Sequence, residues 1–333
     1  MSKQVAKITI FLLGAIISNV VYGKTDDELC DMCLNDDLER DQHILCMFPY
    51  PEPAEQPGCR NVDMSITDDA FRAKILDWHN NYRNKFAEGS WPGQEGKNFP
   101  KAANMMLFHY DYQLERLARR HVQNCYSDHE KCRLVERFQY GQNLGYQSCS
   151  NPQCVPNDTS TTWNNWVDEM KDYDPRDVEK LGTYPSSSQV FHFVAATWAN
   201  TRLLGCAQGR AEVGGNINFQ ISVACNYGPM GVWMGEPMYL QGKPCSMCPN
   251  GTACSFDINY PNLCGGDKIA LVLKTDFPFM DPTAGKEPLT NMGHDEEIEF
   301  HIPTKSVCGT VCLCVILKIL LTICLILALD LRI

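Results

Sequence analysis

Between residues 67 and 226 the apolar positions follow two rhythms. Phe71, Ile75, Trp78, Tyr82 and Phe86 recur every three or four residues, the spacing that lines one face of a helix. Gly89 ends that run. At its start, the Thr67 hydroxyl is placed to cap the free amides, with Asp68 and Asp69 suiting the positive end of the helix dipole. Glycines and prolines crowd residues 89–100 and predict a loop. A second helix follows Asp111, with Leu114, Leu117, Ala118, His121, Val122 and Cys125 on one face. A third covers 159–173 and buries Trp163, Trp166, Val167 and Met170; a shorter fourth covers 190–198. The period then changes. Residues 203–207 and 217–226 read as strands, the latter alternating Ile217, Phe219, Ile221 and Val223. Helices bracketing a small sheet predict an α+β fold, a three-layer α-β-α sandwich over residues 65–241.

The flanks follow other rules. Lys3 and Lys7 precede an apolar run from Ile8 to Val21, the pattern of a secretory signal over residues 1–23, cleaved after Gly23. Residues 24–64 form a Cys-rich arm in which Pro49, Pro51, Pro53 and Pro57 oppose regular helix. This arm is expected to be stapled in place rather than to hold a core of its own. Residues 242–264 make a Cys-rich knot and 265–306 a stalk ending near Asp295-Glu296-Glu297. The tail, 307–333, carries thirteen Leu, Ile or Val residues between positions 311 and 329. Each contributes roughly 0.3–0.6 kcal/mol to insertion against about 3 lost at Lys318, so the tail reads as a membrane anchor. Two forms stay open: a retained single-pass span, or a signal replaced by a lipid anchor.

Composition narrows the class. Eighteen cysteines behind a secretory signal mean disulfides, and fourteen lie between Cys30 and Cys264, an even number. Cys245, Cys248, Cys254 and Cys264 pair within the knot in an order the spacing leaves open. Sequons at Asn157 and Asn250 fit the same secretory route to an extracellular or cell-surface place. A net charge of −11, without a basic run in the folded region, excludes nucleic acid as partner.

Four stretches, in order, resemble the CAP superfamily, named for cysteine-rich secretory, antigen five and pathogenesis-related one proteins. They are His79-Asn80-Asn81-Tyr82-Arg83, Gly141-Gln142-Asn143-Leu144, the segment from Phe191 to Thr201, and Cys225-Asn226-Tyr227-Gly228-Pro229. Gln142, the spacing of Cys125 and Cys132 around His129, and the knot resemble the insect venom antigen five subgroup. The resemblance implies disulfides Cys30–Cys46, Cys33–Cys132, Cys59–Cys125 and Cys206–Cys225. Cys149–Cys154 is then left to pair by proximity.

The resemblance also implies a cleft gathering His129, Gln142, Glu169 and His192. Two imidazoles and a carboxylate suit a divalent metal such as zinc, with water in the remaining position. No cofactor is required by this reading. Catalysis is less well provided for: HExxH and GxSxG motifs are absent, and the Gln142 amide cannot act as a base. Glu169 is the one candidate catalytic group. Phe191, Phe193, Val194 and Ala195 replace more polar signature residues and suggest a dry cleft. The favoured expectation is a non-enzymatic extracellular interaction module taking a small apolar ligand, such as a sterol or fatty acid. The alternatives are a metal-dependent hydrolase acting on peptides, and a purely structural surface ligand for a protein receptor.

Overall fold

The structure, a computed structural model, describes residues 24–49, 58–89, 91–151, 153, 158–214 and 218–266. In chain order, α1 (Asp26–Asp31), α2 (Ile44–Met47) and β1 (Cys59–Asp63) form the arm. Next come α3 (Asp69–Ala87), β2 (His109–Tyr110), α4 (Tyr112–Gln123), β3 (Leu134–Val135), β4 (Phe138–Gln139) and β5 (Gly141–Cys149). The domain closes with α5 (Ser160–Asp168), α6 (Phe191–Thr197), β6 (Leu203–Val213) and β7 (Asn218–Gly228). The central sheet runs β1-β6-β7-β5, with β2 added parallel to β6. The layers are α4 on one face of this sheet and α3, α5 and α6 on the other.

Strand alternation assigns each residue its layer. On β6, Leu203 packs with Leu114 and Leu117 of α4, and Ala207 with Ala118 and Val122. Leu204 and Cys206 join the larger core containing Phe71, Ile75, Trp163 and Phe193. Gly205 faces α4 so closely that a Cβ there would run into the backbone of Glu115 and Asp111. Helix α4 therefore lies directly on the sheet, started by Asp111, whose side chain accepts from the Gln113 and Leu114 amides at 3.0 Å.

Several boundaries differ from the sequence reading. The cap of α3 is Asp68, which accepts from the Phe71 amide at 2.8 Å. Thr67 is buried instead, bonded through its hydroxyl to both backbone groups of Gln208, at 2.5 and 2.8 Å. The third helix stops at Asp168, and Glu169–Asp172 tightens into a 3₁₀ turn. The arm contains apolar anchors as well as crosslinks: Leu29, Ile44 and Leu45 are buried against Leu114, Leu117 and Phe138. Each fully buried aliphatic side chain contributes roughly 1.5–3 kcal/mol.

Disulfides join Cys30 to Cys46, Cys33 to Cys132, Cys59 to Cys125 and Cys206 to Cys225. In the knot, Cys245 pairs with Cys254 and Cys248 with Cys264. The Cys206–Cys225 bond joins directly opposed residues of β6 and β7. Among the described residues no helix is long and apolar enough to cross a membrane. The signal segment, Cys154, Asn157, most of the stalk and the whole 307–333 tail lie outside the described residues.

The α4–sheet contact gives a direct expectation. Gly205→Ala must push α4 off β6, and overpacking of this kind costs about 1–3 kcal/mol. The urea midpoint of the oxidised protein should fall accordingly. An unchanged midpoint would mean that α4 does not sit on Gly205.

Candidate functional site

Three polar residues of the first sequence motif, His79, Asn80 and Arg83, are directed inward. Arg83 is fully buried. It donates to five carbonyl oxygens, those of Met106, Ala196, Trp198, Ala199 and Thr201, at 2.9–3.1 Å. Asn80 pairs both ways with the backbone of Phe108, at 2.8 and 3.0 Å. His79 bonds the Ile75 carbonyl through Nδ1 at 2.7 Å and meets the Tyr227 hydroxyl at Nε2 at 3.0 Å. These bonds hold α3 against the turn after α6.

Glu169 holds the opposite end of α6. Its Oε2 accepts from the backbone amides of His192 and Phe193 at 2.9 and 3.1 Å. Its Oε1 lies 2.6 Å from His192 Nδ1. Both carboxylate oxygens are thus engaged in starting the helix and orienting one imidazole. Trp166 stacks on that ring at 5.7 Å. A carboxylate on Nδ1 leaves Nε2 as the other nitrogen of the ring.

His129 is set from the other side. Its Nδ1 lies 2.7 Å from Gln142 Oε1. The Gln142 amide nitrogen in turn donates to Glu130 Oε1 at 3.2 Å and to Asn226 Oδ1 at 3.1 Å. Asn226 donates to the Leu114 carbonyl at 3.0 Å, which fixes its orientation. Because Glu130 is an acceptor, the Gln142 oxygen has to face His129, and His129 carries its proton on Nδ1. Both histidines therefore present Nε2.

Edge strand β5 supplies a support for each histidine. Gln142 holds His129 on its α4 face. Asn143, on the opposite face, donates to the His192 carbonyl and the Tyr227 hydroxyl, each at 3.0 Å. Glu169 stands behind His192 with both of its oxygens engaged. Among the described residues, the one trio of ligand atoms within 4.8 Å is Cys245, Cys248 and Cys264, and all three are in disulfides. With Glu169 committed, two imidazoles and solvent are the donors that would hold a metal here.

Sequence reasoning passed over Glu130, which is buried and carries this arrangement. It also accepts from the Tyr140 hydroxyl at 2.6 Å, and its carboxyl is held down to about 2, burial being outweighed by its His121 and Tyr140 partners. Nothing in its spacing separates it from a solvated acid beside His129. The dry-cleft argument contracts: Phe193, Val194 and Ala195 are buried in the core, and Phe191 alone of the four is half exposed.

A model described as the cysteine-rich secretory protein family, CAP, matches residues 76–227. Venom allergen 3 of Solenopsis invicta is 32% identical over 203 residues, covering 59% of this chain and 82% of that protein. The chain belongs to the CAP family. Within this CAP family its likeness is to antigen five-type venom proteins. A Trittame loki protein named CRISP/Allergen/PR-1 is 33% identical over 231 residues, 67% of this chain. The chain spans about half of that relative, 53% of its length. The solved structure of BmVAL-1 shares the CAP fold, with a TM-score of 0.50 at 23% identity, over 60% of this chain and 96% of that one.

Burial keeps His79 neutral, pulling it down to about 3. Partial desolvation pulls His129, though exposed, below the ordinary imidazole range against the opposing effect of Gln142. Above about pH 6.5 folded and unfolded chains both carry neutral imidazoles. Below it the unfolded chain takes up protons that the folded one refuses, so stability is lost as pH falls. The urea midpoint should therefore drop between about pH 6.5 and about pH 5, before most carboxylates titrate. His79→Gln should flatten that slope. A flat profile in the unsubstituted protein would contradict the neutral assignment.

Proposed function

We propose that this CAP protein is an extracellular, non-enzymatic interaction module whose cleft binds a divalent cation between His129 and His192. The observation that carries this reading is the commitment of Glu169. Its oxygens hold two amides and one imidazole, which leaves no carboxylate free as general base for a bound water. Gln142 offers none either. A peptidase reading lacks the group that would take the proton. Six disulfides among the described residues fit an oxidising compartment, and the Asn250 sequon is exposed.

The partner in this reading is a small apolar ligand such as a sterol or fatty acid, which would meet Phe191 beside His192. An extracellular protein receptor is the other outcome of a binding screen. The tail would keep the module at a membrane. Zinc, the probe cation, is expected to bind with both imidazoles as ligands.

Isothermal titration with zinc checks the site. The double substitution His129→Ala with His192→Ala should abolish binding. Glu169→Gln should weaken it by about 10–100-fold, the usual effect of losing a partner behind a ligand. Unchanged affinity in the double variant would remove the histidines from the site. Zinc-dependent cleavage of a broad peptide library would overturn the non-enzymatic reading.

A further inference from the structure

Inside the Cys-rich knot, residues 249–252 make a tight turn that carries the sequon Asn250-Gly251-Thr252. Asn250 is exposed. Gly251 sits at φ 78°, a value glycine adopts without strain. The Thr252 amide donates to the Pro249 carbonyl at 3.1 Å, and the Thr252 hydroxyl donates to the same oxygen at 2.6 Å. Strand β8 (Ala253–Cys254) begins at the next residue and pairs with β9 (Cys264–Gly265).

The closed knot holds Thr252 from two sides. Gly266, just past β9, packs on the turn so closely that a Cβ there would stand 2.8 Å from the Gly251 carbonyl oxygen and 3.6 Å from the Thr252 methyl carbon. The Cys248–Cys264 bond brings residues 264–266 to this place, and Cys245–Cys254 anchors the facing strand. A sequon is defined by a hydroxyl two positions beyond its asparagine, so the transferase reads Thr252 Oγ1 as well as the Asn250 amide. The folded knot offers the amide and withholds the hydroxyl, whose one proton is already donated. The two bonds close short loops, with sequence separations of 9 and 16, so little chain entropy opposes them. Thiol oxidation, on a scale of seconds or longer, decides when the knot shuts.

We propose that Asn250 receives its glycan only while the knot is open, so that oxidation of Cys248 and Cys264 sets the fraction of the protein modified there. This rests on the extracellular reading above and deepens it. In the transfer, Asn250 Nδ2 bonds the anomeric carbon of a lipid-linked oligosaccharide. The donor's diphosphate leaves with the bonding electron pair, and the amide nitrogen loses one proton to the transferase. The added glycan does not prevent later closure, because Asn250 points to solvent and Thr252 can still turn back onto the Pro249 carbonyl. One fold therefore carries two glycoforms, and the choice between them is kinetic.

The test expresses the full chain in cultured cells and reads Asn250 occupancy by peptide mass spectrometry of total lysate, so that misfolded variants are counted as well. The unsubstituted protein should be partly occupied. Cys248→Ser with Cys264→Ser should raise occupancy to near completion, and dithiothreitol given during synthesis should do the same. Cys30→Ser with Cys46→Ser opens a bond in the arm instead and should leave occupancy at its original value. Complete occupancy in the unsubstituted protein, unchanged occupancy in the knot variant, or an equal rise in the arm variant would overturn the proposal. A modification at Asn250 that survives Thr252→Ala would overturn it too. Protein recovered oxidised from the secretory pathway with Asn250 bare in every variant would sink the proposal and leave the extracellular reading standing. A chain that stays reduced in the cytosol would remove both.

Discussion

One buried guanidinium organises the domain. Arg83 has five N–H donors, and every one meets a carbonyl oxygen. Four of those carbonyls belong to Ala196, Trp198, Ala199 and Thr201, where α6 ends and the chain turns into β6. The end of a helix leaves carbonyls without partners and carries a partial negative charge. A planar, always-charged fork answers both needs at once. Burial draws Arg83 down to about 9, still charged at neutral pH, and Phe108 covers its face at 4.3 Å.

The site inherits its geometry from this anchor. Arg83 fixes one end of α6 and Glu169 fixes the other, so the helix holding His192 has little freedom to shift. The second histidine is set by another route, through Gln142, Glu130 and Asn226 on the α4 side of β5. β5 is an edge strand, and its adjacent residues Gln142 and Asn143 serve opposite faces of the sheet. Each imidazole has Nδ1 engaged by a neighbouring oxygen, which orients the ring. The carboxylates that orient them, Glu169 and Glu130, are themselves held by several donors.

Much of this was legible in the sequence, and the parts that were not share a cause. Helices α3, α4 and α5 announced themselves because one face of each meets a core, and β7 did because its apolar residues alternate. Strand β5 did not. Its run Gly-Gln-Asn-Leu-Gly-Tyr-Gln-Ser-Cys places Gln142 and Asn143 inward to make polar bonds, which hydropathy reads as surface. β1 was hidden likewise, since its pairing with β6 is a backbone matter. Glu169 was identifiable as a site residue through family resemblance, yet its role as the start of α6 depends on a helix break at Asp168 that periodicity ran straight through. Glu130 has no pattern of its own; only the fold places it between His121 and Gln142. The arm's pairings likewise came from resemblance rather than spacing.

The most direct test of this account is the replacement Arg83→Lys, which keeps the charge but supplies at most three donors for five carbonyls. At least two buried carbonyls would lose their partner, at roughly 1–3 kcal/mol each. Urea unfolding of the oxidised variant, with amide exchange followed through residues 191–201, should show a loss of at least ~2 kcal/mol and faster exchange across α6. A variant with the original midpoint and unchanged protection of α6 would contradict the claim that this guanidinium holds the helix carrying His192.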